Sequence, residues 1–482
     1  MSARRLAAAL CLAAARLPAQ AGGATPPLDA VAPPTLRALG RAILAELVAI
    51  NTVQPEGDVT AASERVAARF RAAGFPASDV EVVGAGPRTK NLVVRWRAPR
   101  DARAAGRKPI LLFAHLDVVA ARRDDWSMDP FALTERDGWY YGRGTLDTKG
   151  GAAQMAAALL YLKSTGWAPQ RDVILALTAG EESGLENGIE WLLAHRRDLF
   201  DVAWAWNADG GGGTSRGGRR VAFDVELAEK LYQSFTLTVR NAGGHSSVPV
   251  PDNAIYRLAA ALGRLATHAF PTHLTPVTIG WLAKMAPIEG GARGAIMARL
   301  AAQPTDTAAA AALAREGAYY DAELRTTCVA TMLQAGHAEN ALPQRAVATV
   351  NCRLIPGESP DSVRRTLERV VADTAVVVAP VDSATPSPPT PVDSAFFAAV
   401  GRAVRAAWEP LPVIPFMDTG ASDGLFLRQV GIPTYIFWPL FDREDDMRAH
   451  GRDERISVEE FARGLGFTVS LLRDQAGGGR AM

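Results

Sequence analysis

Cysteine is scarce in this sequence, and the few cysteines are not spaced as metal ligands. The chain has 482 residues and three cysteines, and no pair of them forms a CxxC motif. This absence excludes a cysteine-based zinc knuckle. The GxxxxGK[ST] pattern of a phosphate-binding loop is absent too, although a glycine-rich stretch, YGRGTLDTKGG, occupies 141–151. The chemistry of the chain must therefore be sought among its histidines and carboxylates.

The sequence also lacks a strong net charge and long apolar runs. Its formal net charge is +1, without basic blocks beyond short pairs, which argues against a nucleic-acid partner. No stretch offers the roughly 18 consecutive apolar residues of a membrane span. Hydrophobic residues make up 48% and charged residues 21% of the chain, as in a globular protein long enough for two or three domains.

The N-terminus has the pattern of an export signal over 1–21. Two arginines precede a short apolar stretch at 6–15, and Ala-Gln-Ala at 19–21 fits a small-x-small cleavage site. Arg16 is atypical, and an alanine-rich leader without a targeting role is the alternative. Cleavage predicts a secreted or periplasmic protein that has lost Cys11, with a net charge of −2 because three arginines and no acidic residue leave.

Strand and helix patterns alternate along the first part of the chain. Such alternation predicts an α/β domain whose mostly parallel sheet is covered on both faces. The predicted strands lie at 91–97, 110–115, 173–178 and 202–208. The predicted helices lie at about 36–50, 63–73, 150–163 and 185–195.

The pattern changes near residue 224. QSFTLTVR at 233–240 alternates apolar and polar residues, as a strand exposed on one face does. A helix, two more alternating strands, a second helix and a last strand follow, in the β-α-β-β-α-β order of a small α+β unit. A proline-rich linker then precedes a return of the α/β pattern. We therefore expect an α/β domain of 24–223 and 383–482, interrupted by an α+β insert at 224–382.

Two polar residues interrupt an apolar run, LLFAHLDVV, that predicts a buried strand. His115 and Asp117 are two residues apart, so they point to the same side of the strand. They lie at its C-terminal end, where open α/β sheets build their sites. A core histidine hydrogen-bonded to a carboxylate is the structural alternative.

Further acidic residues and a histidine occur in loops of the predicted α/β domain. Clustered carboxylates repel one another, so a cluster of them requires cations. Imidazole and carboxylate donors suit zinc, or manganese and cobalt, and two ions about 3.5–4 Å apart that share a carboxylate form a hydrolytic arrangement. The residues are Asp147 in YGRGTLDTKGG, Glu181 and Glu182 in LTAGEESG, Asp209 in WAWNADGGGG, and His450 in MRAHGRDERI; TGASDG at 419–424 begins a helix.

These motifs, in this order, resemble the dinuclear zinc metallopeptidase family that includes carboxypeptidase G, carboxypeptidase S and the aminoacylases. GGHSSVP and the SPPTP linker favour the carboxypeptidase S-like branch. The resemblance implies a zinc-dependent hydrolase of amide bonds in small peptides or N-acyl amino acids. It also implies two Zn²⁺ per subunit, with cobalt or manganese as possible substitutes, and an insert that serves as a lid and dimerisation domain in a possible homodimer.

The resemblance assigns the metal ligands residue by residue. Asp147 resembles the bridging ligand, His115 and Asp209 complete one metal site, and Glu182 and His450 complete the other.

The resemblance also assigns the catalytic and substrate-binding residues. Glu181 resembles the general base acting on a metal-bridging water, and Asp117 resembles the carboxylate that orients the first histidine ligand. His245 resembles the lid histidine that polarises the scissile carbonyl and comes from the partner subunit in dimeric relatives. Asn340 resembles a substrate-contacting amide and Arg353 a guanidinium that binds the substrate carboxylate.

Two departures from the family pattern leave the substrate open. Carboxypeptidase G-like relatives carry an extra arginine where this chain reads VVVAPVDSATPS, and the insert has an extra segment near 275–322. A deacylase acting on N-succinyl or N-carbamoyl groups is the first alternative function. An inactive metal-binding homologue and a metal-free solute-binding protein are further alternatives.

The two remaining cysteines have two interpretations. Cys328 and Cys352 are each 12 residues from Asn340 and lie on two predicted alternating strands. A loop symmetric about Asn340 would place them opposite each other, within disulfide reach, which an oxidising compartment permits. Two buried thiols are the alternative.

Overall fold

The computed structural model of the protein describes residues 24–103, 105–382, 384, 386–441 and 446–477. The predicted export signal at 1–21 lies outside the described residues. Across the described part of the chain, no helix combines the length and the apolar character that a bilayer crossing demands.

The helices and strands are numbered here in chain order. The strands are β1 Val80–Gly84, β2 Lys90–Trp96, β3 Ile110–His115, β4 Thr134–Arg136, β5 Trp139–Tyr141, β6 Val173–Thr178, β7 Ala205–Asn207, β8 Gly212–Arg216, β9 Arg219–Glu229, β10 Leu231–Arg240, β11 Gly244–His245, β12 Thr327–Ala335, β13 Ala341–Leu342, β14 Arg345–Leu354, β15 Val376–Pro380, β16 Val413–Asp418, β17 Thr434–Ile436 and β18 Arg455–Ser457. The helices are α1 Leu28–Val31, α2 Pro34–Val48, α3 Val59–Ala72, α4 Arg100–Arg103, α5 Lys149–Ser164, α6 Gly188–His195, α7 Ala254–Ala266, α8 Pro276–Glu289, α9 Gly291–Ala302, α10 Thr307–Arg315, α11 Ala318–Leu324, α12 Pro360–Val371, α13 Ser394–Ala407, α14 Gly424–Gln429 and α15 Val458–Ala476. Short 3₁₀ turns lie at Ala77–Asp79, Arg123–Asp125 and Arg197–Leu199.

The central sheet has the strand order β1-β2-β6-β3-β7-β17-β9-β16, with β8 paired to β9. The strands at its centre, β6, β3, β7 and β17, run parallel, as do β9 and β16, whereas β1 and β2 add antiparallel neighbours at one edge. The predicted α/β fold with a mostly parallel sheet is thereby confirmed.

Both faces of the central sheet are covered by helices. On β3, Leu112 packs into the cluster formed with α2, α5, α13 and α15, whereas Leu111 and Phe113 pack into a second cluster with α6 and α14. Because helices bury both faces of the sheet, the sequence of this strand is a continuous apolar run instead of an alternating one. This burial makes His115, at the end of the same strand, a costly residue unless its ring is paired.

The insert forms a separate four-stranded antiparallel sheet. Its strand order is β12-β14-β10-β15, and α7 and α12 pack on one face around residues such as Phe235 and Leu367. The four strands of this sheet and its two covering helices have the chain order β10, α7, β12, β14, α12, β15, which is the β-α-β-β-α-β order that the sequence indicates. Strands β11 and β13 and helices α8–α11 lie between them in the chain. The other face of the sheet carries the paired residues Thr236 and Thr349, and Tyr232 and Arg353.

Two features differ from the predicted domain boundaries. The predicted boundary at residue 224 falls inside β9, which stays in the central sheet until Glu229. Helices α8–α11, within the predicted lid at 224–382, pack on the central sheet instead: Trp281 and Leu282 share a cluster with Ala222 of β9 and Ile414 of β16. The physical reason is that an alternating strand pattern reports burial of one face without identifying the sheet to which the strand belongs.

Of the two interpretations of the cysteines, the structure contains the disulfide. Cys328 of β12 and Cys352 of β14 are directly paired across the antiparallel ladder, with their Cα atoms 4.1 Å apart, and are joined by a bond between their sulfurs. The bond links an edge strand covalently to its neighbour. A closed loop of this length in the unfolded chain accounts for roughly 3 kcal/mol of stabilisation.

Candidate metal centre

The candidate site lies at the carboxyl edge of the central sheet. His115 is the last residue of β3, which lies between β6 and β7. Glu181 and Glu182 follow the end of β6, and Asp209 follows the end of β7. Because these three strands are parallel neighbours, their carboxyl ends meet at one edge, where open α/β sheets bind ligands. Local strand patterns therefore suffice to bring these four residues together.

Asp147 occupies the centre of the site. It lies in the glycine-rich loop that precedes α5, and its two carboxylate oxygens face different imidazoles. Oδ1 is 3.0 Å from Nε2 of His115, and Oδ2 is 2.9 Å from Nε2 of His450. A carboxylate that presents one oxygen to each of two histidines has the geometry of a bridging ligand.

The remaining donors complete two overlapping ligand sets. Nε2 of His115 lies 3.9 Å from Oδ1 of Asp209, and Nε2 of His450 lies 3.1 Å from Oε1 of Glu182. Ligand atoms within 4.8 Å of one another are contributed by His115, Asp147 and Glu182 in one set, and by His115, Glu181 and Asp209 in the other. Imidazole nitrogens and carboxylate oxygens at this spacing fit divalent cations such as zinc, cobalt or manganese.

Asp117 contacts both His115 and the loop that carries Glu181 and Glu182. The Nδ1 atom of His115 is 2.9 Å from the main-chain carbonyl of Asp117 and 3.7 Å from its carboxylate, so Nε2 is left to face the site. The Asp117 carboxylate accepts hydrogen bonds from the backbone N–H groups of Glu181 and Glu182, at 3.3 and 3.0 Å. The main-chain carbonyl of Asp117 is thus the hydrogen-bond partner of the histidine, whereas its carboxylate anchors the loop that carries both glutamates.

The pKa values of the ionisable groups in the site are shifted because these groups are buried close to one another. Burial, reinforced by Asp209, raises the pKa of Glu181 to about 10, and burial raises the pKa of Asp209 well above its usual range. Hydrogen bonds from both histidines outweigh burial and lower the pKa of Asp147. Burial alone would lower the pKa of His115, but its carboxylate neighbours raise this pKa well above the usual value. Hydrogen bonds to Asp147 and Glu182 raise the pKa of His450 to about 10. Crowding of this kind favours the binding of cations, which offset the repulsion between the carboxylates.

The structure brings two of the predicted lid residues together on a small hairpin. His245 in β11 pairs with Ala341 in β13, and the N–H of Ser246 donates to the carbonyl of Asn340 at 3.1 Å. The Nδ1 atom of His245 accepts from the Ser247 backbone at 3.1 Å, and both His245 and Asn340 are exposed. Within the described residues, no hydrogen bond or ion pair joins His245 to the metal ligands.

Arg353 lies on the open face of the four-stranded sheet. It pairs directly with Tyr232 of β10, and its guanidinium carbon is 4.7 Å from the centre of the tyrosine ring. Burial lowers the pKa of Arg353, against the opposing effects of Tyr232 and Asp418. A half-buried guanidinium stacked on an aromatic ring is held in a defined orientation, which suits recognition of a carboxylate.

Sequence reasoning missed several polar residues that support the site. Asp423, in the TGASDG motif, is buried and accepts a hydrogen bond from Asn187 at 2.5 Å, which ties the start of α14 to the start of α6. Arg143 and Glu454, which form a buried ion pair beside Asp147, were also missed. Their only sequence signal is charge within short motifs, next to Asp147 and next to His450.

Comparison with known proteins agrees with this fold. The model of Peptidase family M20/M25/M40 matches residues 111–474. N-fatty-acyl-amino acid synthase/hydrolase PM20D1 of Xenopus tropicalis is 29% identical over 393 residues, which cover 76% of this chain and 72% of that protein. Probable carboxypeptidase S-like 2 of Dictyostelium discoideum is 26% identical over 412 residues, which cover 80% and 74%.

A solved structure shares the fold over nearly the whole chain. The M20 family metallo-carboxypeptidase Sso-CP2 from Sulfolobus solfataricus superposes with a TM-score of 0.65 at 18% identity, covering 90% of this chain and 98% of that one. The family match spans the strands and loops that carry all five predicted metal ligands. The family resemblance drawn from the motifs is thus confirmed: the chain belongs to Peptidase family M20/M25/M40 and is an amide hydrolase.

Proposed function

We propose that this hydrolase cleaves the amide bond of N-acyl amino acids or small peptides with the help of two divalent cations. The observation that carries the proposal is the placement of Asp147, whose two oxygens face His115 and His450. One cation would be held by His115, Asp147 and Asp209, and the other by Asp147, Glu182 and His450. Bound there, the cations supply a Lewis acid for the scissile carbonyl and lower the pKa of a water. Zinc is the proposed native metal, with cobalt or manganese as substitutes.

Glu181 is the proposed general base. Its carboxylate lies within the ligand set of His115 and Asp209, and its backbone N–H is anchored by Asp117. In this position Glu181 takes a proton from the attacking water and passes it to the leaving nitrogen.

The insert supplies the proposed contacts to the substrate. Arg353 pairs with the free carboxylate of an amino acid, because its stacked guanidinium offers two parallel N–H donors. Asn340 contributes an amide to the substrate from the hairpin that also carries His245. His245 stabilises the developing oxyanion through Nε2, since Nδ1 is already occupied by Ser247.

The substrate class follows from the chemistry of these groups and from the relatives. A free carboxylate next to the cleaved amide occurs both in N-acyl amino acids, as the name of the frog relative specifies, and at the C-terminus of small peptides. The carboxypeptidase S-like relative fits the second class. Removal of N-succinyl or N-carbamoyl groups remains the competing activity.

The function is tested with a panel of amides under controlled metal content. The chelator-treated chain is assayed with zinc, cobalt or manganese against N-acyl amino acids, dipeptides, N-succinyl and N-carbamoyl amino acids, and matched substrates whose carboxylate is a carboxamide. We expect metal-dependent cleavage of N-acyl amino acids or dipeptides and a strong loss with the carboxamides. Turnover that survives complete chelation contradicts the metal mechanism, and a preference for the N-succinyl or N-carbamoyl substrates favours the competing activity.

The exposed edge of the insert supports a homodimer. Strand β12 ends the four-stranded sheet, and its Val329, Met332 and Leu333 side chains are 61%, 59% and 63% exposed. An unpaired strand edge that carries large apolar residues is a template for association with another strand. We infer that a second copy of the chain covers this edge.

The homodimer predicts how His245 acts. Replacing His245 by Ala should lower the catalytic rate without changing metal content, because the side chain contacts no metal ligand. If each subunit supplies its histidine to the partner, mixing His245→Ala with Glu181→Gln subunits should restore activity, since one mixed site regains both groups. Subunit exchange without rescue would place the histidine in its own chain's site and contradict the arrangement in trans.

The disulfide supports export of the protein. Bonds such as Cys328–Cys352 form and persist in oxidising compartments. Together with the signal pattern at 1–21, this favours a secreted or periplasmic location.

A further inference from the structure

A small sheet joins two chain segments that are far apart in the sequence. Strand β18 pairs with β5, with Arg455 opposite Tyr141, and the N–H of Gly142 extends the ladder by donating to the Glu454 carbonyl at 3.0 Å. The ladder places the side chains of Arg143 and Glu454 against each other, with Nη1 2.5 Å from Oε2. Asp147 follows closely on one segment, and His450 precedes closely on the other.

The Glu454 carboxylate organises the loop that carries Asp147. It is fully buried, and its Oε1 accepts from the N–H groups of Leu146 at 2.6 Å and Asp147 at 3.1 Å, while Oε2 accepts from Gly144 at 3.1 Å. Gly144 has a φ of 84°, in the left-handed region that favours glycine. The loop therefore takes its shape from hydrogen bonds to a single carboxylate instead of from secondary structure.

The Arg143 guanidinium holds the turn that carries His450. Its Nη2 donates to the carbonyls of Gly451 at 3.0 Å and His450 at 3.4 Å. His450 has a φ of 61°, which is unfavourable for a residue other than glycine and persists only where neighbours hold it. Its side chain is about half exposed, at 54%, so packing alone does not fix it.

A buried ion pair is expensive to desolvate, and replacing one by apolar residues is often neutral or stabilising. Stabilisation of the fold therefore does not by itself explain why Arg143 and Glu454 form a buried ion pair. Its hydrogen bonds instead converge on the backbones of Asp147 and His450, whose side chains are 2.9 Å apart. The remaining ligands, His115, Glu182 and Asp209, end or follow packed parallel strands, and among the described residues no hydrogen bond or ion pair joins them to Arg143 or Glu454.

We propose that the Arg143–Glu454 ion pair is a positioning element that holds Asp147 and His450 in register and so sets the affinity for the cation shared by Asp147, Glu182 and His450. The cation shared by His115, Asp147 and Asp209 depends on it less, because two of its ligands are held by the central sheet. This inference rests on the two-metal function proposed above.

The test is a zinc titration of the metal-stripped full chain against a competing fluorescent chelator, which resolves two affinities and a stoichiometry. In Glu454→Gln, whose amide nitrogen faces a donor and cannot accept its hydrogen bond, one zinc should bind as in the wild type. The other should bind about 10- to 100-fold more weakly, as for other partners that orient metal ligands. Arg143→Lys keeps the charge but loses the forked donors, and should weaken the same ion by a smaller factor.

A matched control separates this role from general destabilisation. Glu289 also has a buried carboxylate paired with arginine, 3.2 Å from Arg293. It ends α8, a helix that packs on β16 at the far edge of the central sheet. Glu289→Gln should leave both zinc affinities unchanged. Unchanged affinities in Glu454→Gln and Arg143→Lys overturn the inference, as does an equal weakening of both ions or a failure of both variants to fold. A wild-type chain that binds fewer than two zinc ions overturns the two-metal function itself, and this inference with it.

Discussion

Glu181→Gln should abolish turnover while both metal ions stay bound. Glutamine has nearly the size of glutamate, but its amide cannot take a proton from the attacking water. The loss of a general base lowers the rate by about 10²- to 10⁴-fold, and more where the same group must also orient the water. The five ligands are untouched, so the metal content should equal that of the wild type. Steady-state kinetics and elemental analysis of the same sample measure both quantities.

The control for this variant is an exposed glutamate on the next helix. Glu190 lies in the first turn of α6, outside both ligand sets, so Glu190→Gln should retain wild-type rate and metal content. Retention of more than a few per cent of the rate in Glu181→Gln would show that another group is the base. Loss of a metal ion from the variant would instead identify Glu181 as a ligand. The experiment has to distinguish this outcome because the Glu181 carboxylate lies within 4.8 Å of ligand atoms of His115 and Asp209.

Asp147→Ala and His450→Ala should differ in metal content. Asp147 touches both histidines, so its loss should empty both metal positions and destabilise the fold. His450 contacts only Asp147 and Glu182 within the site, so its loss should weaken one position and leave the other filled. Elemental analysis of purified chains should therefore find close to none in the first variant and close to one ion in the second.

Thermal unfolding adds an independent measurement for the same pair of variants. The buried carboxylates that remain after loss of their cations repel one another, so Asp147→Ala should unfold at a clearly lower temperature than His450→Ala. His195, an exposed histidine on α6, provides the control, and His195→Ala should keep both ions and the wild-type midpoint. Equal metal content in Asp147→Ala and His450→Ala would refute the bridging assignment.

Much of the α/β fold was predictable from short stretches of sequence. The strand predicted at 110–115 is Ile110–His115, the strand at 173–178 is Val173–Thr178, and the helix predicted at about 150–163 is Lys149–Ser164. Each is a buried element whose apolar run or helical spacing is complete within itself. The placement of His115, Glu181 and Asp209 at one edge follows from the parallel order alone.

The sequence by itself thus indicated the parallel core and the β-α-β-β-α-β order of the insert, because burial and periodicity leave local traces. Its motifs indicated the candidate ligands through their resemblance to the family. The tertiary structure alone decided which distant segments meet. It paired β5 with β18 and so joined Arg143 to Glu454, placed α8–α11 on the central sheet, and chose the register that opposes Cys328 to Cys352. The physical reason is that a local pattern specifies which side of an element is buried, whereas the partner that buries it is selected by packing and hydrogen bonding across the whole chain.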